Sequence, residues 1–404
     1  MKLWVLTNTP SPYQVELLAA MEAAGSCKLS VRFLRLEHRG QAWNPATPPF
    51  EYRGLRGWGP RLWSDAFRFH PSACREVWKT DHDLYVLSGQ YTSLTVIACA
   101  VLLCWRRKPW ALWLERPWPE DYRPDWSPNL SARFRGIGAL RRYLLRSFLR
   151  RATRVFCIGS AARDAYRALG VSEDRLSVVS YCCDTRRYAD PDREATQQLR
   201  RRFRLEGKTT FLFSGQLIPR KGVDLLLRAF ARTAAERQDV ALLILGDGPL
   251  RESLEKSVPE EIRDRVHFVG QVPQADLPRY FAAASVFVFP SRYDGWGVVI
   301  NEACAAGLPV LSTDAVGAAL DLVQDGVNGF ILARDDEQGF YEKMKFFAGQ
   351  PDRITAFGTR SRELAQKGSL EHGAALFCAA VEQTLAAMQR PTTKNEEPRT
   401  KNLS

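Results

Sequence analysis

Short runs of apolar, β-branched and aromatic residues alternate with longer segments of helical periodicity over most of the chain. Such runs, apolar at successive positions instead of at every second one, suit strands buried on both faces, the pattern of a parallel sheet covered by helices. In the first half this predicts strands at 2–7, 29–34, 84–87, 110–114, 154–158 and 176–179. Helices are expected between them at 13–24, 93–105, 138–151 and 161–169. From residue 210 the alternation begins again with cleaner strands, at 210–213, 241–245, 266–269, 286–289, 309–312 and 329–332.

Two successive doubly wound α/β units are the simplest reading, with their boundary in the charged, proline-containing stretch 184–206. The expected division is 1–188, 207–351, a helical segment 352–389, and a polar, disordered tail 390–404. Two such units facing one another form a cleft, and ligands of open parallel sheets bind beyond the carboxyl ends of the strands.

A length of 404 residues, 45% of them hydrophobic, is enough for two cores and excludes a disordered chain. Nine cysteines with no C-x-x-C pair suggest neither a disulfide framework nor a zinc site, and a reducing cytoplasm fits. The apolar stretch after Met1-Lys2 is too short for a signal-peptide core. The longest apolar run, 94–105, falls short of the ~20 residues of a membrane span and reads as a buried helix. A formal charge of +12 points to an anionic partner. No nucleic-acid motif accompanies it, and no G-x-G-x-x-G follows the first strand as a dehydrogenase would require.

Three segments that follow predicted strands carry candidate chemistry. In the first, a strand ends at Gly215-Gln216 and the turn Pro219-Arg220-Lys221-Gly222 opens a helix, where backbone amides and the Lys221 ammonium can hold a diphosphate. The second, Gly246-Asp247-Gly248-Pro249, is a turn whose composition is common in purely structural positions. The third runs from Pro290 through Asp294-Gly295-Trp296-Gly297-Val298-Val299 to Glu302 and Pro309. Its glycines allow close backbone approach, its helix starts with exposed amides, and its two carboxylates suit a ligand rich in hydroxyls.

Together these segments resemble the family 4 glycosyltransferases, retaining enzymes of the GT-B fold with two Rossmann-like domains facing across a cleft. The resemblance is nearly continuous over 210–332 and weaker over 2–184. The family's acids, separated by seven residues, correspond to Asp294 and Glu302. The resemblance implies that 1–188 binds the acceptor and 207–351 the nucleotide sugar, with 352–389 packing back toward the first domain. It implies that Lys221 and Arg220 act on the leaving diphosphate and Asp294 orients the sugar, while Glu302 holds the ribose. Gly215, Gln216, Gly295 and the amides of Gly297, Val298 and Val299 would complete the donor site, with Gln271 and Val272 meeting the base. The donor, a UDP- or GDP-sugar, is a substrate; no cofactor or metal is implied.

Three departures stand out. Asp294 replaces the usual glutamate, Gln216 stands where arginine is frequent, and the first strand leads into Thr9-Pro10-Ser11-Pro12-Tyr13 instead of a glycine-rich loop. Related enzymes often keep a histidine near the reacting centre; no histidine lies between His82 and His267, which leaves Glu115, Glu120 or Asp121, with Tyr13, as acceptor-side candidates. Asp81-His82-Asp83 precedes its strand, the wrong place for a metal site. Residues 131–154 hold eight arginines and no acid, with leucines and Phe148 on the opposite half of the wheel. That amphipathic helix, 138–154, can lie on an anionic membrane, or pack into the core with a solvated basic face.

The expected function is retaining hexosyl transfer to a glycan or lipid-linked acceptor in bacterial lipopolysaccharide, exopolysaccharide or other glycoconjugate synthesis. The enzyme is expected in the cytoplasm, peripheral on the inner face of the plasma membrane. A sugar-nucleotide epimerase and a non-catalytic sugar-nucleotide-binding protein are the alternatives.

Overall fold

The computed structural model describes residues 1–36, 47–58, 68–89, 91–117 and 135–389. The first sheet has seven strands, β1 (Lys2–Thr7), β2 (Lys28–Phe33), β3 (Glu51–Gly54), β4 (Leu84–Ser88), β5 (Trp110–Leu114), β6 (Arg154–Cys157) and β7 (Leu176–Val178), in the order β3-β2-β1-β4-β5-β6-β7. All pairings are parallel, with Val5 opposite Val31 on one side and Val86 on the other. One face is covered by α1 (Pro12–Ala23), the other by α2 (Pro71–Lys79), α3 (Leu94–Trp105), α4 (Arg135–Arg151) and α5 (Ser160–Ala168). Burial on both faces is why these strands read as unbroken apolar runs.

Two short helices, α6 (Thr185–Ala189) and α7 (Arg193–Arg202), lead to the second sheet. It holds β8 (Thr209–Ser214), β9 (Val240–Leu245), β10 (Val266–Gly270), β11 (Val286–Phe289), β12 (Val310–Thr313) and β13 (Gly329–Leu332), all parallel, in the order β10-β9-β8-β11-β12-β13. Its helices are α8 (Val223–Glu236), α9 (Arg251–Ser257), α10 (Leu277–Ala283), α11 (Val299–Ala306), α12 (Gly317–Leu322), α13 (Glu337–Gly349) and α14 (Pro351–Ala365). The last helix, α15 (Leu370–Gln389), crosses back onto the first sheet, where Phe377 meets Trp113 edge-on at 5.1 Å and Phe156 at 5.0 Å.

Several expectations are corrected. Strand β3 carries no apolar run because it is an exposed edge, fastened by the Arg32–Glu51 ion pair at 2.9 Å. Residues 184–206, expected as a plain boundary, form α6 and α7, whose first amides are capped by Asp184 and Asp192. Tyr188 anchors this connection, 5.4 Å from the Phe281 ring. Helix α3 is not fully buried: Leu94, Val101 and Trp105 face outward.

Most of the apolar half expected to face lipid in 138–154 is used in the core. Leu145, Phe148 and Leu149 are buried in the core, Phe148 edge-on to Trp110, so these three cannot enter a bilayer while the fold is intact, whereas Leu140 is exposed. Arg142, Arg146 and Arg150 are turned to solvent, as are Leu140 and Tyr143. The tail expected to be disordered lies outside the described residues.

Candidate functional site

Strand order reverses once in each sheet, between β1 and β4 and between β8 and β11, and the loops leaving those strands open a crevice at each reversal. The loop after β11 is tied to the turn after β8. Buried Ser291 donates to the carbonyls of Arg220, at 3.1 Å, and Tyr293, at 3.0 Å, and the Arg292 amide donates to the Arg220 carbonyl at 2.8 Å. The Arg292 guanidinium bridges Asp224, at 2.8 and 2.9 Å, to Asp335 at 2.6 Å. Gly222 closes the arrangement: at φ 68° a Cβ would stand 2.1 Å from the Pro290 carbonyl oxygen.

This clamp brings Lys221 and Arg220 onto Asp294. Lys221 Nζ forms an ion pair with the Asp294 carboxylate and lies 4.7 Å from the Phe289 ring centre, while Arg220 reaches the same carboxylate at 3.5 Å. Burial acts to raise Asp294, but the Lys221 and Arg220 charges outweigh it and hold the carboxyl below its ordinary value. Burial holds the Lys221 ammonium below its ordinary value, against the pull of Asp294.

Glu115, immediately after β5, enters from the other sheet. Its Oε2 lies where a Cβ on Gly295 would be only 2.0 Å away, so only glycine admits the carboxyl at that point. Crowding by both domains and the charge of Asp294 push Glu115 up to about 7, against Arg220 and Lys221. The side chain keeps surface open to the cleft, so water there moderates the shift. Tyr13 lies near the same acids and 4.7 Å from Tyr181; burial and Glu115 raise its phenol. Both domains thus contribute acids to one cleft that also holds two cations.

The amides of Gly297, Val298 and Val299, at the start of α11, donate to no acceptor among the described residues. One turn further, Glu302 is 8% exposed; burial raises it to about 7, with Glu16 adding to the shift and Tyr188 and Arg187 opposing it. Glu16 itself pairs with Arg187 at 2.8 Å and accepts from Gln274 at 3.2 Å, so α1, α6 and the segment after β10 meet beside Glu302. An acid raised in the folded state favours the neutral form, so ionising it costs stability increasingly from about pH 4.5 to 7. Glu302→Gln is therefore expected to gain on the order of 2–3 kcal/mol relative to wild type between pH 5 and pH 8, read from urea unfolding at the two pH values. A difference independent of pH would show that the carboxylate is not held neutral.

Gly215 and exposed Gln216 lie at the end of β8, and exposed Gln271 with half-buried Val272 follow β10, at the same edge of the second sheet. Glu120 and Asp121 lie outside the described residues. Asp81 is paired with Lys108, at the amino end of β4, away from the cleft. The sequence reading missed the cross-domain contacts. Tyr293 Oη donates to the Arg116 carbonyl at 2.6 Å, Ser160 N to Asp321 at 3.0 Å, and Asn301, bonded to Trp296, to the Tyr181 carbonyl at 3.4 Å. No local signal marks them, because their partners are more than a hundred residues away.

Two family models match consecutive parts of the chain: residues 8–182 the glycosyl transferase 4-like domain, and residues 195–364 the glycosyl transferases group 1. Residues 8–182 and 195–364 thus each match a glycosyl transferase family, and the two parallel-sheet domains have the GT-B fold. The chain is 34% identical over 213 residues to a GDP-mannose-dependent alpha-(1-6)-phosphatidylinositol monomannoside mannosyltransferase of Mycobacterium tuberculosis, covering 51% of the chain and 52% of that protein. It is 30% identical over 190 residues, 46% of the chain and 49% of the relative, to the alpha-D-kanosaminyltransferase of Streptomyces kanamyceticus. The chain thus spans about half the length of the curated relatives it matches. The structure of Anabaena HepE in complex with UDP shares the fold, with a TM-score of 0.72 over 96% of this chain and 99% of that one at 19% identity.

Proposed function

We propose that this chain is a retaining, metal-independent group 1 glycosyltransferase that moves a hexosyl group from a UDP- or GDP-sugar to a glycan or lipid-linked acceptor. The observation that carries the reading is the meeting of Lys221, Arg220 and Asp294 with the acceptorless amides of 297–299 on one side of the cleft and Glu115 on the other. A diphosphate leaving a sugar needs fixed positive groups aimed at it, and a buried ammonium with helix-terminal amides supplies them without reorganisation.

In this reading Asp294 orients the sugar and keeps Lys221 charged, and Glu302 accepts hydrogen bonds from the ribose. Glu115, with its carboxyl near neutrality in proton affinity, faces the acceptor hydroxyl and can take its proton. Support comes from the mannosyltransferase relative, whose name specifies a GDP-sugar donor and a phosphatidylinositol-based acceptor, and from the HepE complexes with UDP and UDP-glucose. We extend the reading to a role in bacterial lipopolysaccharide or another glycoconjugate, at the inner face of the plasma membrane. The basic face of 138–154 would favour an anionic surface. In this reading residues 1–188 bind the acceptor and 207–351 the donor.

A panel of nucleotide sugars tests the proposal. The true donor at a hundredfold excess over its dissociation constant should stabilise the fold by roughly 2.7 kcal/mol. With an acceptor present, the product glycoside should keep the donor's anomeric configuration by NMR. Conversion of donor alone to an isomeric nucleotide sugar would make the chain an epimerase, and binding without turnover for any acceptor class would leave a binding protein.

A further inference from the structure

Helix α3 has no charged residue in its twelve positions, L-T-V-I-A-C-A-V-L-L-C-W. One side, with Thr95, Val96, Cys99, Ala100 and Leu103, is buried in the core. The opposite stripe, at helical spacing, is Leu94, Val101 and Trp105, with 45%, 59% and 71% of their surfaces exposed. A helix on a water-facing surface carries polar residues on its outer stripe, and one apolar all round is normally covered. No described residue covers this one.

Helix α2 extends the patch. Its Trp78 is 45% exposed, and the Trp78 and Trp105 rings lie 5.0 Å apart. The Arg106 guanidinium stands 5.4 Å from the Trp78 ring and bonds to the carbonyls of Val77 and Trp78, so the two indoles are fixed together as a ridge. Lys79, Arg106, Arg107 and Lys108 rim the ridge. On the same face of the sheet, α4 turns Arg142, Arg146 and Arg150 outward. The nearby acids are engaged, Glu76 with Arg32 and Asp81 with Lys108.

Indoles with an apolar stripe inside a cationic rim match the headgroup level of an anionic bilayer, where aromatic rings and apolar side chains enter the interface and cations meet phosphates. A second copy docking about a twofold axis would set this basic rim against itself. We propose that the outer stripe of α3, with Trp78 of α2, is a docking surface for an anionic lipid bilayer. The basic face of α4 attracts the surface, and the α3 ridge supplies apolar insertion beyond what Leu140 and Tyr143 of α4 offer. This surface does not depend on the reading of the cleft.

The test uses the full chain with vesicles of phosphatidylcholine alone, or containing about one-third phosphatidylglycerol, at low salt. Wild type should cosediment with the anionic vesicles, and brominated acyl chains should quench part of its tryptophan emission. Replacing Trp78, Val101 and Trp105 by serine should lower partitioning at least about tenfold, because binding scales with the apolar area inserted. Arg146→Glu with Arg150→Glu should lower it further and abolish the preference for anionic lipid. Val101→Ser alone, at a strongly exposed position, should retain the wild-type melting temperature and still weaken binding. Absence of wild-type binding to anionic vesicles overturns the proposal. So does binding unchanged in the serine variants, or a wild-type dimer that those variants convert to monomer in sedimentation velocity. None of these readouts requires a nucleotide sugar, so failure here and failure of the transferase reading are separate results.

Discussion

Lys221→Ala is expected to lower turnover by on the order of 10²-fold or more at saturating nucleotide sugar, the usual cost of removing one preorganised donor from a developing anion. The ammonium is held between Asp294 and the Phe289 ring, where burial already destabilises its charge. A buried cation of this kind loses little further solvation when a diphosphate approaches, and it strengthens its interaction as the leaving oxygens gain charge. The expected signature is therefore a fall in kcat with nucleoside diphosphate still bound. A rise in KM alone would mean that Lys221 holds ground state and transition state equally. Turnover within a few-fold of wild type would remove it from the reaction altogether.

The second large effect is structural. Gly246→Ala is expected to cost about 3 kcal/mol or more, combining left-handed backbone strain with overpacking. At φ 124° its Cβ would stand 1.9 Å from the Gly215 carbonyl oxygen, and the Gly246 amide is bonded to the Gly270 carbonyl at 2.7 Å, so the backbone cannot retreat. Gly25→Ala is the control. Its φ of 75° carries strain, but nothing lies within 4 Å, and about 1 kcal/mol is expected. Urea midpoints of the two variants measure the contrast, and equal losses would show that the close approach at Gly246 relaxes at no cost.

That contrast illustrates how much of the site the chain's local pattern carries. Gly246-Asp247-Gly248-Pro249 reads as a turn of ordinary composition, and its demand for glycine appears only once β8 and β9 lie side by side, with Gly248 close to the Leu217 carbonyl. Asp294 and Glu302 are legible as a pair because both lie on one short strand-loop-helix segment. Glu115 was one of three acids proposed for the acceptor side. Its contact with Gly295, 180 positions later, depends on how two separately folded sheets meet.

The apolar runs of β1 to β13, apart from the edge strand β3, sufficed for two parallel sheets, because a strand covered on both faces must be apolar at consecutive positions whatever lies around it. The turn residues after β8 and β11 were legible as a candidate site for the same reason: glycines and a helix start have local conformational requirements. Tertiary structure decided the rest. It turned Leu145, Phe148 and Leu149 of α4 inward and one face of α3 outward, although α3 is apolar enough to be buried. It set Arg292 between Asp224 and Asp335, and it joined α15 to the first sheet. Those outcomes depend on which surfaces the neighbouring elements cover, a property of long-range packing that periodicity within one segment does not encode.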